Sequence, residues 1–116
     1  MGGSTQLMWD EAVTHYRFGD GHPMDPVRLS LTMRLVEAFG LPQAGSGEGR
    51  VRVVAAPPAG ESTLRLVHRP DYIDQVRRVS AQPSSAFGAF GLGTADNPAF
   101  PGMHRTAALI AGQSVA

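Results

Sequence analysis

The residues able to do chemistry in this chain are few and scattered. Its four histidines, His15, His22, His68 and His104, stand far apart, and none falls in the His-Glu-x-x-His spacing that puts two imidazoles on one helix face for a metal. Cysteine is absent, which removes thiolate nucleophiles, disulfides and cysteine-held metals. Lysine is absent too, and with it the phosphate-binding P-loop. Residues 88–93 are glycine-rich, but a dinucleotide fingerprint follows a strand and opens a helix, and this run sits inside a loop. Neither Ser84-Ser85 nor Ser114 stands in a nucleophile elbow. No complete active site can be assembled from these pieces.

Two segments nevertheless look too specified for plain scaffolding: residues 16–32 and residues 91–103. In the second, Asp96 sits in a loop fixed by Pro98 and Pro101 with glycines nearby. A rigidly held loop carboxylate suits two N–H groups of a peptide-like ligand. The same spacing also fits an Asx-turn or a helix cap.

The elements that must hold these segments follow from periodicity and punctuation. Residues 6–13 carry a short apolar run suited to a buried strand, and residues 16–24 form a tightly turned loop. Asp25-Pro26 opens a helix, Asp as the cap and Pro at the first helical position. Val27, Leu31, Leu35 and Phe39 form one apolar stripe, and Leu29, Met33 and Val36 a second, so this helix expects neighbours on more than one side. Gly40 ends it, with Pro42 just beyond. Residues 43–49 read as a flexible loop, as does the start Met1-Gly2-Gly3-Ser4. Residues 50–55 alternate as a second strand, closed by Pro57-Pro58. A short helix over 61–68 precedes one opened by Pro70, with Tyr72, Ile73, Val76 and Val79 on one face. Residues 80–91 read as a surface loop, residues 93–101 as a second loop, and the chain turns helical again from about Gly102.

Strands alternating with helices point to an α/β fold with a parallel sheet. The 116 residues allow one domain at most. Only two strands are identifiable, and the sequence stops inside an apolar helix, so we expect it to continue beyond Ala116. Ten basic against ten acidic residues leave no electrostatic case for nucleic acid or an anionic membrane as partner. No basic start with an apolar run marks a secretory signal, so the expected location is the cytoplasm.

At the two specified segments the sequence resembles the histone deacetylase family, in particular its acetoin-utilization branch. The matching text is Tyr16-x-Phe18-Gly19-x-Gly21-His22-Pro23-Met24-x-Pro26-x-Arg28-Leu29, then Leu66-Val67-His68-x-x-x-Tyr72-Ile73, then Gly91-Leu92-Gly93-Thr94-x-Asp96-Asn97-Pro98-x-Phe100-Pro101-Gly102-Met103. These blocks stand in family order. The resemblance implies a three-layer, parallel-sheet α/β fold of the arginase/deacetylase kind, incomplete here. Residues 1–116 would be the N-terminal part of a domain about three times as long. It implies a zinc-dependent hydrolase that cleaves acetyl-lysine amides, with the zinc ligands, the paired histidines and the catalytic tyrosine downstream. It implies no catalytic or metal residue in this chain, which alone would be inactive.

Two positions would carry family roles. Asp96 corresponds to the rim aspartate that accepts hydrogen bonds from the substrate backbone. Arg28 corresponds to the arginine lining a product channel, a role its bidentate fork suits, against the alternative of anchoring the loop to the helix. Tyr16, Gly21 and His22 would shape that channel's wall. The implied partner is an acetylated lysine of a protein substrate, acetyl-CoA synthetase being one candidate. Asp25 stands where nuclear relatives place a lysine for inositol phosphates, and so argues against that ligand. Two other functions stay open: a non-catalytic α/β module that binds through residues 84–101, and a deacetylase of polyamines or other small amines.

Overall fold

The computed structural model describes residues 5–41 and 51–116, so the Met1–Ser4 start, Pro42, the 43–49 loop and Arg50 lie outside the described residues. Two strands, β1 (Thr5–Met8) and β2 (Val51–Val54), pair in parallel with Thr5 opposite Val51 and Met8 opposite Val54. Trp9 N–H donates to Val54 O at 2.8 Å, which carries the ladder one residue further. The first strand is shorter than its apolar run suggests. Asp10 Oδ1 accepts from Ala12 N–H at 2.9 Å and folds Glu11–Thr14 into a 3₁₀ turn instead. A side-chain acceptor two residues upstream offers the backbone an alternative to the sheet.

Helix α1 (Val27–Ala38) begins as the Asp-Pro pair dictates. Asp25 Oδ1 accepts from Val27 N–H at 2.8 Å, and Pro26 already has helical backbone. It ends at Gly40, whose φ of +65° lets its N–H reach Glu37 O (2.8 Å) while Leu41 N–H reaches Val36 O (3.2 Å). Only one of its apolar stripes finds a neighbour. Met33 is buried, whereas Val27, Leu31, Leu35 and Phe39 face solvent, Phe39 at 74%.

After β2 come the single-turn α2 (Glu61–Leu64), α3 (Pro70–Ala81) and α4 (Met103–Val115). The face of α3 read from spacing is the buried one: Ile73, Val76 and Val79 are all inside. Val76 and Val79 pack with Leu92 and Met103, and Tyr72, Ala86, Ala99 and Phe100 close around them. Burying an aliphatic side chain contributes roughly 1.5–3 kcal/mol, so this cluster is what fixes α3 against α4. Residues 80–91 are not the plain surface loop expected. Ser80 and Ala81 complete α3, two 3₁₀ turns come next (Pro83–Ser85 and Ala89–Gly91), and Leu92 plugs the core at 2% exposure.

Helix α4 also meets the connection after β2 at close quarters. Gly112 faces Pro57, and a Cβ there would lie 2.0 Å from Pro57 O. Ala59 N–H donates to Ala108 O at 2.8 Å. The Gln113 amide pairs with both backbone groups of Ala56, Nε2 donating to its O (2.7 Å) and Oε1 accepting from its N–H (3.1 Å). A helix side chain thus takes the place of the next strand along this segment.

Candidate functional site

The loop that carries Asp96 is braced by its neighbour. Asn97 Nδ2 donates to Gly91 O (3.0 Å), Asn97 O accepts from Gly93 N–H (2.9 Å), and Asn97 N–H donates to Thr94 Oγ1 (3.1 Å). With Leu92 buried at one end and Phe100 half-buried at the other, the tip is held on both sides. Asp96 is exposed there, and among the described residues its carboxylate accepts no hydrogen bond. Neither the Asx-turn nor the helix cap that its spacing allows is formed.

The second loop packs against the first through aromatic rings. Tyr16 stacks on Phe100 with centroids 6.0 Å apart, and Phe18 meets Phe100 edge-on at 5.4 Å. Phe18 also touches Tyr16 at 5.3 Å and His22 at 4.8 Å. His22 joins the two loops directly. Its Nδ1 accepts from Met24 N–H at 3.1 Å, and its Nε2 lies 3.2 Å from Asp96 O. Tyr16, Phe18 and Met24 form one wall of an apolar groove of about 310 Å³, with Asn97 and Phe100 on the rim side and α4 residues such as Ile110 across from them.

The four residues singled out from sequence therefore divide. Tyr16, His22 and Asp96 come together. Arg28 stays on the first turn of α1, exposed, with Nε donating to Asp25 O at 3.0 Å. The anchoring alternative is present for its Nε, though the partner is a carbonyl and not a carboxylate.

The sequence does contain one Asp-x-His, Asp20-Gly21-His22, inside this loop. It is not used as a metal pair. Asp20 pairs loosely with Arg17 at 3.8 Å, and both His22 nitrogens are engaged with backbone. Among the described residues no three His, Asp or Glu side chains converge.

A charged cluster joins α2, α3 and α4. Arg77 on α3 donates to Glu61 on α2 (2.5 Å), to His104 Nε2 on α4 (3.3 Å), and lies 3.5 Å from Asp74. Arg65 also bridges to Glu61. The Arg77 hydrogen bond, with the charges of Arg65 and Arg77, holds the exposed Glu61 carboxyl below its ordinary range. Partial burial lowers the affinity of His104 for a proton, and the Arg77 charge lowers it further. His104 N–H in turn donates to Ser80 Oγ at 3.2 Å, so the start of α4, and with it the end of the Asp96 loop, is fixed to α3.

Sequence reasoning missed Phe18 and Phe100 as the contact between the loops and Asn97 as the clamp. The clamp had a faint local signal, an Asn before Pro and three residues after Thr. The ring contacts join positions some eighty residues apart and have no local signal.

Comparison with known proteins shows the family to which the chain is similar. A family model described as the histone deacetylase domain matches residues 22–116. The acetoin utilization protein AcuC of Bacillus subtilis (strain 168) is 35% identical over 99 residues, which are 84% of this chain and 24% of that protein. Histone deacetylase B of Dictyostelium discoideum is 31% identical over 110 residues, 92% of this chain and 24% of that protein. AcuC of Staphylococcus aureus (strain MSSA476) is 30% identical over 110 residues, 93% of this chain and 27% of that protein. The chain spans about a quarter of the length of these relatives.

Proposed function

This chain belongs to the histone deacetylase family, and we propose that it is the N-terminal part of a cytoplasmic, zinc-dependent deacetylase of the acetoin-utilization branch. The substrate in this reading is an acetyl-lysine amide of a protein, with acetyl-CoA synthetase as a candidate. The whole domain would have the three-layer arginase/deacetylase fold. Its further strands and helices would cover the sheet edges and the apolar stripe of α1. When bound, zinc supplies the Lewis acid and the activated water of such a hydrolysis. Its ligands belong, in this reading, to residues beyond this chain. Among the described residues no helix is long and apolar enough to cross a membrane.

The observation that carries the reading is the free carboxylate of Asp96 on a clamped loop beside an apolar groove. There it would accept the backbone N–H groups that flank an acyl-lysine. A hydrogen bond to a charged group contributes about 1.5–3 kcal/mol. The groove and the Tyr16 wall would border the route by which product leaves.

The test is a polypeptide that continues this chain with the part of the Bacillus subtilis relative beyond the match. We expect it to bind zinc and to release acetate from acetyl-lysine peptides. An Asp96→Ala change should lower kcat/KM roughly 10- to 100-fold and leave zinc content unchanged. Residues 1–116 alone with added zinc should be inert. Turnover by that short chain would overturn the placement of the metal, and a zinc-loaded joined protein without deacetylase activity would overturn the function.

A further inference from the structure

We propose that His22 is a positioning residue for the Asp96 rim, tying the loop before α1 to the loop before α4 so that the Asp96 carboxylate is held where a substrate backbone can meet it. The inference rests on the reading of Asp96 as a substrate-binding residue. Three observations carry it. Both ring nitrogens of His22 are spoken for: Nδ1 accepts from Met24 N–H at 3.1 Å, which leaves Nε2–H to donate to Asp96 O at 3.2 Å. Only the neutral imidazole with its proton on Nε2 satisfies both contacts. The ring plane is fixed by Phe18 at 4.8 Å, and Phe18 in turn meets Phe100 at 5.4 Å, on the same rim loop. Finally, the accepting carbonyl is that of Asp96 itself. The bond therefore holds, from its carbonyl edge, the peptide plane next to the Cα that bears the carboxylate, while the N–H edge of the same plane is held by the Asn97 donation to Thr94 Oγ1. A residue 74 positions away in sequence thus sets the aim of the rim.

The chemistry of the two contacts separates them experimentally. Asparagine offers an oxygen where Nδ1 stands and keeps the Met24 contact alone. Glutamine reaches further and offers an amide N–H where Nε2 stands. Hydrogen exchange of the joined protein, read by mass spectrometry on peptides spanning residues 91–97, reports the rim without reference to catalysis. H22N should speed exchange there about fivefold, the worth of one neutral hydrogen bond, and H22Q should restore most of the protection. In the joined protein, H22N should raise KM for an acetyl-lysine peptide about fivefold with little change in kcat, and H22Q should reverse most of that rise. Unchanged exchange in H22N, or H22Q as loose as H22N, overturns the tie. Faster exchange with KM unmoved in an active joined protein overturns its positioning role. The altered exchange pattern in a joined protein that lacks all activity would leave the tie standing and remove the function reading instead.

Discussion

Replacing Gly112 by alanine sets two effects of known size against each other. Alanine is the better helix former by about 1 kcal/mol, so in an open helix the change would stabilise. Here the new methyl would stand 2.0 Å from Pro57 O, 2.9 Å from Ala59 N and 3.1 Å from Pro57 C. All three are backbone atoms, which cannot rotate aside, so α4 must lift from residues 57–59. Lifting breaks the Ala59–Ala108 bond and both Gln113–Ala56 bonds. Each contributes about 1 kcal/mol, and the strain of overpacking adds roughly 1–3 kcal/mol. After subtracting the helix gain, the net is at least about 3 kcal/mol against the native contact. Hydrogen exchange at the Ala59 amide reads that contact directly, and about 3 kcal/mol corresponds to roughly a hundredfold faster exchange. Gly60→Ala serves as the control, because its backbone φ of −73° is ordinary and no atom lies within 4 Å of the added Cβ. Exchange at Ala59 in G112A equal to or slower than in the parent would refute the close approach of α4 to the post-β2 segment.

The other predictions concern charge and surface. With the proton affinity of His104 lowered in the fold, the unfolded chain binds the extra proton first as pH falls; the contribution of the neutral ring is complete above the ordinary value of 6.5 and is lost on acidification below it. An NMR titration should place the His104 midpoint below 6.5, and Arg77→Gln should move it upward by removing a neighbouring charge; a midpoint that stays put or falls would contradict the Arg77 contact. The isolated 116 residues should bind an apolar dye and self-associate at micromolar concentration, because Leu31, Leu35, Phe39, Leu66, Val67 and Phe87 are exposed together with free strand edges. A sharp, cooperative melt of a monomer would count against that.

Local chemistry was readable where one residue settles a backbone group. Asp25-Pro26 announced the start of α1, Gly40 its end and Pro70 the start of α3, and each does so through its own hydrogen bonds or φ. The α3 face was readable because four apolar positions share one side of a single helix. The strand over 6–13 was overextended because Asp10 competes for Ala12 N–H, an event that apolar periodicity does not register. Leu92 as a core plug and Gly112 as a contact point depend on what another element brings to them. The site divides in the same way. Asp96 was visible as a carboxylate in a rigid loop, and Tyr16 and His22 as members of a patterned one. Their meeting across Phe18 and Phe100 is tertiary, and no spacing encodes it.

The uncovered stripe on α1 has a consequence in time. The Bacillus subtilis relative is about 400 residues long, since 99 residues are 24% of it. At roughly 5–20 residues per second, a ribosome needs on the order of 15–60 s to make the remaining three quarters of a protein that size. Val27, Leu31, Leu35 and Phe39 lie within the first forty residues of the given sequence and are exposed. If this chain is the N-terminal part of a protein of that length, as proposed, they would leave the ribosome early and face the cell uncovered for most of that interval. Within that window the stripe is a place for a chaperone to hold before any later strand or helix can reach it.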